Sequence, residues 1–179
     1  MAFSISDIKA ELVSGGARQS LFQVNINNPI NNESTLKTPF MVQSSQIPAS
    51  NLGTIQIPYF GRMLKLAGDR TFDPWPVTVI NDEDFLIRNA MEEWSNEINT
   101  LAGNQRRISR YKSQAQVLQY SKTGDIIREY TFHGIYPAEI STIDLDWGAV
   151  DAYQQFNVTF QYDYWTVSGR SQTAEYDPG

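Results

Sequence analysis

The stretch VDAYQQFNVTFQYDYWTV, Val150 to Val167, constrains the fold more than any other part of the chain. Val150, Ala152, Phe156, Val158, Phe160, Tyr162 and Tyr164 fall on one parity, with Gln154 the interruption. Asp151, Gln155, Asn157, Thr159, Gln161 and Asp163 fall on the other. A strand turns successive side chains to opposite faces, so the pattern predicts one ribbon with an oily side and a wet side. At ~3.3 Å per residue it would reach on the order of 55 Å, far beyond the usual strand of about 5–6 residues. Such length suits a barrel wall or an assembly.

Other segments point the same way. Leu21–Ile26, Phe40–Ser44, Thr54–Phe60, Arg62–Leu66, Thr71–Ile80, Gln114–Tyr120, Ile126–Tyr136 and Glu139–Trp147 read as further strands. Asn27–Thr38 reads as a polar loop, and Ile5–Val13 as a short helix stopped by Gly15-Gly16. Pro74 and Pro76 cannot donate to a ladder and confine the first half of their strand to an edge or bulge. Lys122-Thr123-Gly124-Asp125 is a hairpin turn, and Pro137-Ala138 and Gly148-Ala149 mark corners. The one long helix spans about 84–98, where Ile87, Ala90, Met91, Trp94 and Ile98 form a stripe at helical spacing. Asn81 and Asp82 are its candidate caps, Glu83 and Asp84 complement its dipole, and Gly103 is its stop. The expected fold is mostly β, an antiparallel barrel or sandwich with one packed helix.

With 179 residues and an ordinary apolar content, the chain is expected to be a single domain. Within it we distinguish an N-terminal segment (1–19), a hairpin or loop at about 40–66 and a polar tail (168–179). The 40–66 region is unusually apolar for its many turn residues. A projecting hairpin with an oily tip accounts for that, and so does a loop folded over the core. No apolar run approaches the ~18 residues of a membrane span, and the N-terminus lacks the pattern of a signal peptide. The absence of cysteine excludes disulfides, thiolate metal sites and a cysteine nucleophile. From His133 onward, seven acids face the single base Arg170, so one base minus seven acids accounts for the whole net charge of −6. Such a face repels nucleic acid, because each phosphate contact needs a cation.

Several motifs together resemble the tail tube protein family of contractile-tailed, T-even-like bacteriophages. They are AGDRTFDPWPVTVINDED from Ala67 to Asp84, Ile143-Asp144-Leu145-Asp146-Trp147, and Phe156-Asn157-Val158-Thr159-Phe160 followed by Asp163-Tyr164-Trp165. A weaker anchor near the N-terminus consists of Ser14-Gly15, Ala17-Arg18 and Leu21-Phe22-Gln23-Val24. Pro76 and the long stretch after Trp165 depart from the pattern. The resemblance implies homohexameric rings, stacked helically into a tube whose inner barrel is shared between subunits. It implies a tail sheath outside, a tape-measure protein within, baseplate and tail-terminator proteins at the ends, and transient passage of DNA. The same fold recurs in pyocin and type VI secretion tubes. The protein would be assembled in the host cytoplasm and reside in the virion, with no enzyme activity, cofactor, metal or membrane insertion.

Phe40, Ile47, Leu52, Ile55, Ile57, Tyr59 and Phe60 are the candidate ring-stacking residues, because apolar and aromatic side chains dominate interface energies. Asp144 and Asp146 share a strand parity. They read as a solvated acidic face, which with Asp151 and Asp163 would line a lumen that DNA does not stick to. Arg106, Arg107, Arg110 and Lys112 form a basic cluster suited to ion pairs with a neighbouring subunit or the sheath. His133 has no serine partner in a recognisable motif and takes a structural role. Asp82, Glu83 and Asp84 cap a helix more simply than they bind a metal. Two rivals stand beside the tube: a carbohydrate-binding β-sandwich with exposed rings, and a glycoside hydrolase using Asp144 or Asp146.

Overall fold

The computed structural model describes residues 5–12, 16–100 and 111–169, with nine strands and three helices among them. A short helix α1 (Ile5–Glu11) precedes β1 (Phe22–Ile26), α2 (Asn32–Met41) and β2 (Val42–Ser45). The hairpin β3 (Asn51–Tyr59) and β4 (Arg62–Thr71) follows, then β5 (Trp75–Ile80) and α3 (Leu86–Ile98). The chain continues through β6 (Ser113–Tyr120), β7 (Ile126–Ile140), β8 (Gln155–Gln161) and β9 (Tyr164–Gly169). Seven strands form an antiparallel sheet in the order β1-β6-β7-β8-β5-β2, with β9 also paired to β7, and β3-β4 form a separate two-stranded sheet. The large sheet does not close into a barrel.

The spine is β7. One of its edges pairs with β6. The other pairs first with β9, through Arg128–His133, and then with β8, through Tyr136–Ile140. The switch occurs at Gly134, whose φ is 69°. Asp163 N–H donates to the His133 carbonyl at 2.9 Å. A Cβ on Gly134 would run into the Asp163 carboxylate, and its positive φ strains any larger residue, so glycine is strongly favoured at this crossing.

That crossing corrects the expectation of one ribbon from Val150 to Val167. The segment breaks at Asp163 into β8 and β9, and its parity slips there. Phe156, Val158, Phe160 and Tyr162 are buried as expected, but beyond the break Trp165 and Val167 pack against the core while Tyr164 turns outward. Residues 150–154 precede the ladder altogether. The long strand is β7, with 15 residues. It runs straight through the expected Pro137-Ala138 corner, which is a register shift between Pro137 and Glu139. Residues 141–147, expected to continue a strand from Glu139, lie outside any ladder.

Two further differences concern helices. Residues 32–41, expected as polar loop and the start of a strand, form α2. Its amphipathic stripe is weak, so the periodicity is silent. It is fixed instead by Asn31, whose side chain accepts from the Glu33 and Ser34 amides, and by the buried Asn28, which donates to the Ala90 carbonyl at 3.1 Å. The helix α3 begins after Phe85, which takes a left-handed φ of 52°. Neither Asn81 nor Asp82 serves as its N-cap. Asp84 Oδ1 instead accepts from the Leu86 amide at 3.0 Å, while the Asp82 carbonyl accepts from the Phe85 amide.

The core lies between the sheet and α3. Ile87, Ala90, Met91 and Trp94 are buried on the helix. They meet Val77, Val79, Phe132, Val158 and Phe160 from the strands. Trp75 stacks on Phe132 at 4.3 Å and donates its indole N–H to the Gln46 carbonyl at 2.9 Å. Pro76 sits in this inner strand without harm, because the β2 ladder reaches only to Val77. On that side no donor is needed from Pro76.

Candidate assembly interface

The hairpin β3-β4 poses the main physical problem of this molecule. Its ladder runs from Asn51↔Thr71 to Tyr59↔Arg62, with a bulge at Gly53. The cross-strand pairs Ile55↔Leu66, Ile57↔Leu64 and Tyr59↔Arg62 lie on one face. Thr54↔Ala67, Gln56↔Lys65 and Pro58↔Met63 lie on the other. Nearly every residue of both strands is solvent-exposed, and the hairpin packs extensively on no other element among the described residues. Ile55 is 54% exposed, Ile57 41% and Tyr59 68%. A lone two-stranded hairpin is marginally stable in water, and a contiguous apolar patch of this kind marks an interaction surface.

The tip adds a second signal. Phe60 and Gly61 occupy the two-residue turn with φ of 44° and 76°, as a type I′ turn requires. Asn or Asp is the usual residue before that glycine. A bulky side chain in the left-handed region costs ~1–2 kcal/mol. Phe60 is nevertheless 90% exposed, its ring touching only Tyr59 edge-on at 4.6 Å among the described ring pairs. A strained, exposed aromatic has no role in the isolated subunit that a polar residue would not fill better.

Of the seven stacking candidates, the structure brings Leu52, Ile55, Ile57, Tyr59 and Phe60 together on this hairpin. Ile47 lies in the preceding connection, and Phe40 at the end of α2 rather than in a strand; both are exposed. The residue reading missed Met63, Leu64 and Leu66, although Leu64 and Leu66 continue the same alternation on β4. It also missed Leu145, Trp147, Val150 and Tyr153, all exposed in the β7–β8 connection. Elsewhere Ile5 and Ile8 of α1 are exposed. The outer edges of β1, β2 and β9 carry no ladder partner among the described residues.

The acidic candidates do not share a strand face. Asp144 and Asp146 belong to a loop, so the shared strand parity fails. Asp146 instead closes a local turn, its Oδ1 accepting from the Gly148 amide at 2.8 Å. Asp151 stands at φ 58°, before β8 begins. Asp163 is bound by Lys112 at 2.7 Å to both oxygens, and that carboxylate raises the Lys112 pKa. Lys112 is therefore committed within the subunit, while Arg106, Arg107 and Arg110 lie outside the described residues. Asp82 and Asp84 both accept from Lys37 of α2. These hydrogen bonds hold both carboxyl pKa values below the usual range and raise that of Lys37. The pair thus ties α2 to the β5–α3 turn. His133 stacks on Tyr164 at 4.6 Å and contacts Thr166 Oγ1 at 3.0 Å. Trp94 is buried as expected, while Trp147 is fully exposed.

Comparison with known proteins places this architecture. The family described as phage tail tube protein matches residues 7–168. The tail tube protein gp19 of Enterobacteria phage T4 is 32% identical over 167 residues, covering 90% of this chain and 98% of the relative. The tail tube protein of Serratia phage KSP90 is 27% identical over 176 residues, covering 94% and 99%. Among solved structures, a chain of the anti-feeding prophage tube-terminating cap superimposes with a TM-score of 0.66 at 16% identity, covering 87% of this chain and 92% of that one. A chain from the sheath-tube complex of an extracellular contractile injection system, PVC, gives 0.59 at 15% identity, covering 94% and 100%. At these identities the structures show the fold alone.

Proposed function

The chain belongs to the phage tail tube protein family, and on that premise we propose that it builds the inner tube of a contractile tail by closing homohexameric rings that stack helically through the β3-β4 hairpin. Membership makes it a structural component of the virion and removes the glycosidase and carbohydrate-binding readings. The observation that carries the stacking proposal is the hairpin itself, apolar on one face and solvated on both within a lone subunit. Covering it with another copy removes exposed apolar surface at ~25 cal/mol per Å² and relieves the marginal stability of a bare two-stranded ribbon.

Ring closure uses the free strand edges. An unpaired edge is a template for another chain, and a closed ring leaves no edge open. The outer edges of β1, β2 and β9 are the ones available. In this division of labour the body of the fold makes rings and the hairpin joins one ring to the next, with the N-terminal segment docking beside it. The partners follow from the role: a sheath outside, baseplate and terminator proteins at the ends, a tape-measure protein inside, and DNA in transit. The neighbours from a sheath-tube complex and from a tube-terminating cap support the first two classes. An overall charge of −6 suits a conduit that must not retain phosphates.

A tube of an injection system rather than a phage tail is the second reading, favoured by those same neighbours. The two phage relatives, at 32% and 27% identity, weigh more than structures at 15–16%. Negative-stain electron microscopy of the purified chain tests the shared core of both readings. Rings of six subunits, or tubes built from them, are expected. Monodisperse single subunits at millimolar concentration would overturn the proposal.

A further inference from the structure

The β7–β8 connection, residues 141–154, is the second exposed apolar surface, and its place in the fold is opposite to the hairpin. Strand β5 pairs Trp75 with Phe160 at one end and Ile80 with Gln155 at the other. The connection is anchored at the Ile80 end, where Asn81 N–H donates to the Gln154 carbonyl at 2.9 Å. The hairpin springs from the Trp75 end, where the Trp75 indole holds the Gln46 carbonyl and Asn51 meets Asp73. About 20 Å of strand separates the two.

The connection has a definite form. Its feet are tied by Ser141 N–H to the Asn157 carbonyl and by the Asn81–Gln154 pair, and Asp146 closes the turn before Gly148. On that frame Leu145, Trp147 and Val150 stand exposed. Asp144, Asp146 and Asp151 flank them, with no Lys or Arg anywhere in 141–154. The hairpin has the complementary make-up. Arg62, Lys65 and Arg70 stand against Asp69 alone, and Arg62 shares the oily face with Ile55, Ile57, Leu64 and Leu66.

We propose that the 144–153 loop of one copy receives the hairpin of another, Trp147 seating on the Ile55–Ile57–Leu64–Leu66 face and Arg62 meeting the acids around it. Donor and receptor sit at opposite ends of the same subunit, so the contact is head-to-tail. It leaves a fresh donor and a fresh receptor after every addition and propagates instead of saturating as a pair. It gives Trp147 a buried environment, as expected of a large aromatic at an interface. It also places Asp144, Asp146 and Asp151 between subunits and not on a channel wall. The inference rests on the reading of the hairpin as the stacking element and adds what the hairpin docks against.

The natural absence of cysteine allows a clean test. Tyr59→Cys, exposed beside the hairpin tip on the face that docks, is labelled with a benzophenone maleimide and assembled with an excess of isotopically heavy unmodified chain. After irradiation, the captured heavy peptide is identified by mass spectrometry. Capture of the peptide holding residues 144–153 is the expected result. Capture of a heavy peptide from elsewhere leaves the hairpin as a stacking element but overturns the assigned receptor. No heavy capture in assembled tubes overturns both. Should the label itself block assembly, Trp147→Ala decides: a rise of about tenfold or more in the critical concentration is expected, with an unchanged circular dichroism spectrum of the dispersed subunit. An unchanged critical concentration overturns the inference.

Discussion

Replacing Ile57 by Asp separates folding from assembly. Ile57 faces Leu64 across the hairpin, beside the Ile55–Leu66 pair, and 41% of it remains exposed in the subunit. Full burial of an Ile side chain contributes ~1.5–3 kcal/mol, so the surface left for docking holds roughly 1 kcal/mol. The carboxylate weighs more heavily. An unpaired charge taken into a covered apolar face costs several kcal/mol more, even after relaxation. The expected loss is on the order of 3–5 kcal/mol per contact, and every 1.4 kcal/mol is about a tenfold change in affinity. In the isolated subunit the same position is open to water, and the cost stays below about 1 kcal/mol. Ile57→Asp, and Ile55→Asp by the same reasoning, should therefore give a folded subunit whose critical concentration for pelletable tubes rises ~100-fold or more. Ile57→Leu, which conserves volume, should assemble nearly normally. Tubes of normal length from Ile57→Asp at the unmodified critical concentration would refute the reasoning.

Three more outcomes follow from the geometry. Gly134→Ala puts a Cβ into Asp163 at φ 69° and should lower stability by at least ~2 kcal/mol, or about 5 °C in thermal unfolding; no change in melting temperature would contradict the account of the β7 crossing. Phe60→Asn places a favoured residue in the type I′ turn. Circular dichroism of the dispersed subunit should show it as stable as, or more stable than, the unmodified chain, while sedimentation shows weaker assembly; tighter assembly would remove the functional reading of the tip. Lys37→Met removes the partner of Asp82 and Asp84, whose folded pKa values lie below 3.8. Groups depressed on folding stabilise above the unfolded value and cease to as pH falls through the folded one, so the melting-temperature penalty of Lys37→Met should be present at pH 7 and shrink as acid protonates the two carboxylates below 3.8. Because the Lys37 pKa is raised above 10.5, the penalty should also fade as pH climbs past that value. A penalty that does not shrink on acidification below pH 3.8 would contradict the ion-pair assignment.

What the sequence made legible, and what it hid, follows the range of the forces involved. The stripe of α3 and the alternation Phe156-Val158-Phe160 are local patterns imposed by one continuous core, and both appear where expected. The break at Asp163 lies against Gly134 and the His133 carbonyl, far away on another strand, so no window on 150–167 contains its partners. The Ile143–Trp147 motif alternates as a strand does, yet it has no ladder partner among the described residues, and Leu145 and Trp147 face water. The helix α2 is hidden in the sequence because caps and an ion pair hold it rather than an oily stripe, and because it contains Pro39, a residue that usually argues against helix. The helix α3 starts two residues later than its stripe suggests, because Phe85 turns left-handed and Asp84, not Asn81 or Asp82, accepts from the Leu86 amide. At the candidate interface, the oily alternation among turn residues identifies β3 and the first half of β4, while the rest of β4 and the Trp147 loop need the structure. The mixed fate of the acids has the same origin. Composition locates charge along the chain, but only tertiary contacts decide that Asp163 meets Lys112 and Asp146 closes a turn.

The central claim is that the hairpin finds its burial only against another copy of this chain. Amide hydrogen exchange on residues 51–71, compared between dispersed subunits and assembled tubes, tests it most directly. The account predicts fast exchange in the subunit, far faster than in β7 or β8, and strong protection of the same amides once tubes form. Protection already complete in the lone subunit, or exchange that stays fast within intact tubes, would contradict it.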